Sequence, residues 1–153
     1  MTGFSHLDDS GAARMVDVSG KDVTVRTATA VGRVDLSSEC LSQLASLPKG
    51  DVLATARLAG IMGAKRTPDL VPLCHPIALH QVTVDLVPDS EGIAITATAR
   101  TADRTGVEME ALTAVTVAAL TVIDMTKAVD PRGVITGITV VGKTGGKTGD
   151  WKA

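Results

Sequence analysis

Apolar positions recur along this chain with two periods, and each period predicts a different kind of element. Val82, Val84 and Leu86 alternate with Gln81, Thr83 and Asp85 between Leu79 and Val87, which predicts a strand with one wet face. Ile93 to Arg100 alternates in the same way. The intervening Pro88-Asp89-Ser90-Glu91-Gly92 has turn chemistry, so the two strands are expected to pair as an antiparallel hairpin. Val23 to Val34 is rich in Val and Thr and predicts a further strand. Val134 to Val141 predicts the last strand, and Met15 to Val18 a short extended segment. Helical spacing at Leu41, Leu44 and Ala45 behind a serine cap predicts a helix over Ser37 to Leu47, ended by Pro48. Asp51 is placed to cap a second helix running to about Ala64, in which Gly60 and Gly63 lower the intrinsic stability but permit close packing. From Thr67 to Pro76 the prolines 68, 72 and 76 predict a stiff, extended connection without regular structure.

The longest apolar segment runs from Val107 to Val129. Many of its central residues are β-branched, so a strand over Val115 to Ile123 is an alternative. Length and charge favour a helix. Glu108 and Glu110 stand at its start and Lys127 near its end, the arrangement the helix dipole prefers. Its most apolar run, Ala111 to Ile123, is too short to span a bilayer and carries Thr113, Thr116 and Thr121. Together the elements predict an α+β, ferredoxin-like layer, a mostly antiparallel sheet with helices packed on one face. The chain shows no internal repeat and no linker long enough to separate domains. Its 153 residues are expected to form a single catalytic domain, 1–153, with a mobile N-terminus over about 1–14 and a Gly/Lys-rich tail over about 142–153.

Composition narrows the function. Aromatic residues make up 1% of the chain, Phe4 and Trp151 with no Tyr, which nearly excludes a base-stacking platform for single-stranded nucleic acid. The net charge of −2 gives no global basic field, so neither nucleic acid nor an anionic membrane is an expected partner. Anion binding must come from local clusters. Cys40 and Cys74 do not form a secreted disulfide framework and are read as reduced thiols. The N-terminus lacks a basic segment followed by an apolar one, so the expected location is the cytoplasm.

Candidate chemistry gathers in three places. On the long helix, Glu110 and Asp124 lie on one face within roughly 40° of each other but about 21 Å apart along the axis. One small substrate does not reach both ends of a straight helix. An antiparallel pair of such helices across a two-fold axis would bring Glu110 of one subunit toward Asp124 and Lys127 of the next, so a shared inter-subunit site is expected. The plainer alternative makes Glu108 and Glu110 ordinary first-turn acids and Asp124–Lys127 a surface pair. In the second place, Cys74-His75-Pro76, the imidazole can carry a proton near neutral pH. Cys74, His75 and His80 invite a zinc reading but lack a fourth ligand, and no metal is expected. Cys74 as a nucleophile would need a nearby base, and the adjacent His75 points away in an extended chain. In the third place, Gly142-Lys143-Thr144-Gly145-Gly146-Lys147-Thr148 approaches a phosphate loop, but Val141 stands where glycine would be needed and no helix can follow. Its backbone amides and lysines still suit an anion; the alternative is a solvated tail. Lys49, Arg57, Lys65 and Arg66 add cations, and the set fits a polyphosphorylated small molecule better than a long nucleic acid.

Four segments carry a resemblance: Lys49-Gly50-Asp51-Val52 leading into Ala54-Thr55-Ala56-Arg57, Leu73-Cys74-His75-Pro76, Gly106-Val107-Glu108-Met109-Glu110-Ala111-Leu112-Thr113, and Asp124-Met125-Thr126-Lys127-Ala128-Val129. With Lys143 to Lys147, Met15 to Val18 and Arg26, they resemble the cyclic pyranopterin monophosphate synthase family, molybdenum cofactor biosynthesis protein C. The resemblance covers nearly the whole chain in order. It implies conversion of 3′,8-cyclo-7,8-dihydro-GTP to cyclic pyranopterin monophosphate with release of pyrophosphate, a lyase reaction that needs no cofactor. It also implies a homo-oligomer, a hexamer built as a trimer of dimers. Carried over by position, Asp124 is the acid/base and Lys127 and Lys49 are the catalytic lysines, with His75 in the catalytic set. Leu73, Cys74, His75, Met109 and Glu110 line the substrate, Glu108 supports the pterin side, and Lys143 and Lys147 face phosphate. Thr144, Thr148, Trp151 and Thr126 depart from the residues usual in the family, and none of these changes removes a charged group. Two other readings remain, a non-catalytic polyphosphate-binding module and a structural oligomer whose apolar helix is only an interface.

Overall fold

The structure, a computed structural model, describes residues 5–153. Five strands, β1 (Thr24–Asp35), β2 (Leu79–Pro88), β3 (Gly92–Asp103), β4 (Val134–Thr144) and β5 (Trp151–Lys152), form one sheet in the order β2-β3-β1-β4-β5. All four pairings are antiparallel. The helices are α1 (Ser38–Ser42), α2 (Val52–Lys65), α3 (Thr67–Leu70) and α4 (Glu108–Thr126). The fold is α+β, an open antiparallel sheet with helices packed on it in a ferredoxin-like arrangement.

Alternation decides which face of the sheet is covered. Ala28, Ala30, Gly32 and Val34 of β1 are buried, and so are Ile93, Ile95, Ala97 and Ala99 of β3, whereas their neighbours in sequence are more exposed. Val84 and Leu86 extend the same apolar face onto β2. The hairpin of β2 and β3 forms as its pattern predicts, with Asp89 closing the turn by accepting from Glu91 N and Gly92 N. Arg33 of β1 then grips that turn with two 2.6 Å hydrogen bonds to Asp89.

α4 lies on the covered face against β1, β3 and β4, with α2 beside it. Its residues Ala111, Ala114, Val115, Ala118, Ala119 and Val122 are fully buried. The β-branched centre is a helix, not a strand. Packing on both sides outweighs propensity, and Thr113, Thr116, Thr121 and Thr126 return their hydroxyls to the carbonyls four residues earlier. This helix is long and apolar enough to cross a membrane, longer than the run Ala111 to Ile123 suggests, yet here it is the central helix of the core. Close approach depends on small residues. A Cβ at Gly60 would stand 2.8 Å from the carbonyl oxygen of Ala114, and one at Gly32 2.6 Å from Val115 Cγ1.

Other expectations need correction. The helix expected over Ser37 to Leu47 is split: Ser37 caps α1 by accepting from Cys40 N, but the chain then tightens into a single 3-10 turn at Leu44–Ser46. Thr67 to Pro76 is not wholly irregular. Pro68 sits in the first turn of α3, where its missing N–H costs nothing. Met15 to Val18, expected only to be extended, belongs to no helix or strand among the described residues. α4 ends at Thr126 rather than Val129, in a turn where Asp130 is buried and accepts from Ser37 N and Arg132 N. Within the N-terminal segment 1–14, residues 1–4 lie outside the described residues; residues 5–14 include a turn closed by a Leu7–Ala13 bridge. Gly142 to Thr144 continue β4, and the Gly/Lys-rich turn returns the chain as β5.

Candidate active site

A cavity of about 410 Å³ opens at the N-terminal end of α4. Its walls are the first turn of that helix (Glu108, Met109, Glu110), the segment Leu73-Cys74-His75, and the loop carrying Val16, Val18 and Lys21. His75 Nε2 meets the carbonyl oxygen of Val16 and so ties two of these walls together. A carbonyl only accepts, so Nε2 carries the hydrogen, and in the neutral ring Nδ1 keeps the lone pair.

Glu110 is the unusual member of this wall. It is 3% exposed, and its Oε2 has no hydrogen-bond partner among the described residues. Burial pushes its carboxyl up to about 7, and the negative charge of Glu108 adds to the effect. It is therefore no ordinary first-turn acid. Near neutrality it can present either a donor or an acceptor to whatever fills the cavity. Burial also pushes up the Cys74 thiol, with the Glu110 charge contributing, so Cys74 is a protonated wall residue and a poor nucleophile. His80 stands apart on β2, where its Nδ1 accepts from Ala102 N.

Glu108 is held by Lys143, whose Nζ donates to Glu108 Oε1 at 2.8 Å and to Thr148 Oγ1 at 2.8 Å. A bulge makes this contact available. β4 slips register between the pairs Thr29–Gly142 and Ala30–Val140, leaving Val141 as an extra residue. If the same sequence continued the ladder from Ala30–Val140 without a bulge, Lys143 would pair with Thr27 on the uncovered side of the sheet; the bulge sets it opposite Ala28, facing α4. Gly106 matters for the same pair, because a Cβ there would lie 2.0 Å from Glu108 Oε2. Lys147 does not join this ion pair. It lines a second cavity, of about 320 Å³, with Lys21, Asp22, Thr24 and Arg26.

The remaining expected residues stand at the other end of α4. Asp124 receives Lys49 Nζ at 2.6 Å on one oxygen and Lys127 Nζ at 2.7 Å on the other. Hydrogen bonds from Lys127 and then Lys49 hold its carboxyl down to about 2. All three side chains are about half exposed, at 48% for Lys49, 53% for Asp124 and 59% for Lys127. Lys49 comes from the link before α2, so the cluster is more than a surface i,i+3 pair. The structure thus sorts the expected residues into two groups. Leu73, Cys74, His75, Glu108, Met109, Glu110 and Lys143 gather at one end of α4, and Lys49, Asp124 and Lys127 at the other, about 21 Å away by helical rise. Sequence reasoning missed Lys21 and Thr105 as wall residues. The pairing Gly20-Lys21 repeats the Gly-Lys pairing of 142–143 and 146–147, which was the available signal.

The chain is similar to known proteins over nearly its whole length. The model of the MoaC family matches residues 15–146. A cyclic pyranopterin monophosphate synthase of Streptomyces coelicolor is 64% identical over 150 residues, covering 97% of this chain and 88% of that protein. One of Corynebacterium glutamicum strain R is 56% identical over 153 residues, covering 99% of this chain and 98% of that protein. One of Roseiflexus sp. is 57% identical over 155 residues, with 99% and 98% covered.

Proposed function

The chain belongs to the MoaC family, and on that premise we propose that it is a cyclic pyranopterin monophosphate synthase of molybdenum cofactor biosynthesis. It converts 3′,8-cyclo-7,8-dihydro-GTP to cyclic pyranopterin monophosphate and releases pyrophosphate, as a phosphorus–oxygen lyase without a cofactor. The observation that carries this reading is the pair of half-sites at the ends of α4. One is a walled cavity with a buried carboxyl, and the other is an exposed Lys-Asp-Lys cluster.

The active site is shared between subunits of a homo-oligomer, a hexamer made as a trimer of dimers, working in the cytoplasm as one catalytic domain. The ring system occupies the cavity. Glu110 meets its polar edge, Glu108 supports it from the Lys143 side, and Leu73, Cys74 and Met109 exclude water. His75, with Nδ1 free, is placed to take or return a proton during ring opening. The cyclic phosphate forms when a sugar hydroxyl oxygen bonds to the α-phosphorus and the bond to the bridging oxygen breaks. The hydroxyl proton passes to a base, and pyrophosphate leaves with the electron pair. Lys49 and Lys127 of the neighbouring subunit stabilise the charge that develops there. As they turn to phosphate they release Asp124, whose carboxyl then rises from about 2 and becomes a better proton acceptor.

Incubation with 3′,8-cyclo-7,8-dihydro-GTP tests the proposal. Stoichiometric pyrophosphate and a pterin product are expected. Binding without turnover would favour a polyphosphate-binding module and overturn the synthase reading.

A further inference from the structure

Residues 5–15 stand outside the core. Every one of them is exposed, and among the described residues no hydrogen bond joins this stretch to the rest of the chain. They close on themselves instead. Asp8 N donates to the Ala12 carbonyl at 2.9 Å, Arg14 N donates to the His6 carbonyl at 2.8 Å, and Asp8 Oδ1 accepts from Ser10 N and Ala12 N. Gly11 turns the chain with a φ of +83°. A two-stranded hairpin of this size is only marginally stable in water and needs a surface to lie on. Its root supplies that surface at the mouth of the ring cavity, where Ser5 and His6 form part of the same wall as His75 and Glu110. Just beyond the hairpin the chain is fastened, because His75 Nε2 donates to the Val16 carbonyl. A self-closed unit, fastened at one point and edging a cavity, opens and closes as one body. His6 also brings a second imidazole to the cavity that holds His75, and among the described residues neither of its ring nitrogens has a hydrogen-bond partner.

We propose that the hairpin of residues 5–14 is a lid on the ring cavity and that His6 is the side chain through which it binds the ring system. The inference rests on the synthase reading and adds a residue and a motion to it. The bound ring supplies what the hairpin lacks, a polar edge for the His6 imidazole and a surface beneath the turn. Closure sets the lid across from Leu73, Cys74 and Met109 and keeps water out while the ring is opened and rebuilt.

Hydrogen–deuterium exchange of the intact protein, with and without 3′,8-cyclo-7,8-dihydro-GTP, tests the lid; a Lys127→Ala background keeps the ligand unconverted. The amides of Asp8, Ala12 and Arg14 should exchange about tenfold more slowly with the ligand bound. Adding His6→Ala should abolish that slowing. Steady-state kinetics in the wild-type background tests the residue. His6→Ala should raise KM about tenfold with kcat changed little, and His6→Gln, which keeps a donor and an acceptor, should recover most of the loss. Gly11→Val lies away from the cavity, where an added Cβ meets nothing within 4 Å, yet it strains the hairpin at its positive φ and should raise KM as His6→Ala does. Exchange that is the same with and without the ligand, or a wild-type KM in either His6→Ala or Gly11→Val, would overturn the proposal. Exchange is read without turnover, so the two readings can fail separately. A protein that turns over its substrate with hairpin exchange insensitive to the ligand keeps its function and loses the lid. A protein without turnover whose hairpin amides are slowed by the ligand keeps the lid and loses the synthase reading.

Discussion

Replacing Glu110 by Gln should stabilise the protein above neutral pH while damaging its activity. Glu110 is 3% exposed, and burial raises its carboxyl from the usual 4.5 to about 7. The sign follows from proton counting. Between pH 4.5 and 7 the native state keeps a proton that the unfolded chain has released, so stability falls as pH rises through that window. Each pH unit of the window costs about 1.4 kcal/mol, so the full penalty is about 3 kcal/mol and is reached above pH 7. Glutamine has nearly the same shape, stays neutral and escapes the penalty. Urea unfolding of wild type and Glu110→Gln across this range measures the difference directly, since all other titrating groups cancel. The two proteins should be nearly equal near pH 4, and the variant should be more stable by about 3 kcal/mol near pH 8. A difference that does not change with pH would refute the reasoning, because Glu110 would then be ionised throughout or solvated in the native state. Turnover of the stabilised variant should fall, since glutamine cannot exchange a proton with the ring system.

Further outcomes follow from the packing and the two clusters. Lys49→Ala and Lys127→Ala should each lower kcat by about a hundredfold or more with the circular dichroism spectrum unchanged, because both side chains are half exposed and hold up no core. Gly60→Ala should lower stability by about 1–2 kcal/mol in chemical denaturation despite the better helix propensity of alanine, because the contact at 2.8 Å is with a backbone oxygen that cannot turn away. Lys143→Ala should lower turnover sharply, because Glu108 is left without its cation. Deleting Val141 removes the bulge but keeps Gly142 opposite Thr29 and Lys143 opposite Ala28, so that variant should retain far more turnover than Lys143→Ala.

Much of the fold was legible because one face of the sheet is buried and the other is wet. The alternation through Val82, Val84 and Leu86, and again through Ile93 and Ile95, gave the hairpin and its facing. Asp51 gave the start of α2, where its side chain accepts from Ala54 N. The helix α4 was harder to read. Its β-branched centre argues locally for a strand, and only the covering by α2 and the sheet reverses that preference. The break after Ser42 had no local signal of comparable strength. The distance between the ends of α4 was also readable, because helical rise converts residue count to length. Features that depend on tertiary register were not. The bulge at Val141 turns Lys143 toward Glu108, and nothing in the spacing of 142–147 announces it. The burial of Glu110 needs α4 seated in the core, and the place of Lys21 needs the Val16–Lys21 loop laid against Leu73 to His75. Conversely, Asp124 looked like half of a helix-surface pair until Lys49 arrived from 75 residues away.

The central claim is that the cavity of one subunit works with the Lys-Asp-Lys cluster of another. Mixing Glu110→Gln with Lys127→Ala subunits, by co-expression or joint refolding, tests it most directly. Each variant alone should be nearly inactive. In a randomly mixed two-fold assembly about a quarter of the sites would combine a wild-type cavity with a wild-type cluster, so about a quarter of wild-type turnover should return. Mixed oligomers that assemble and fold yet recover no turnover would contradict the account.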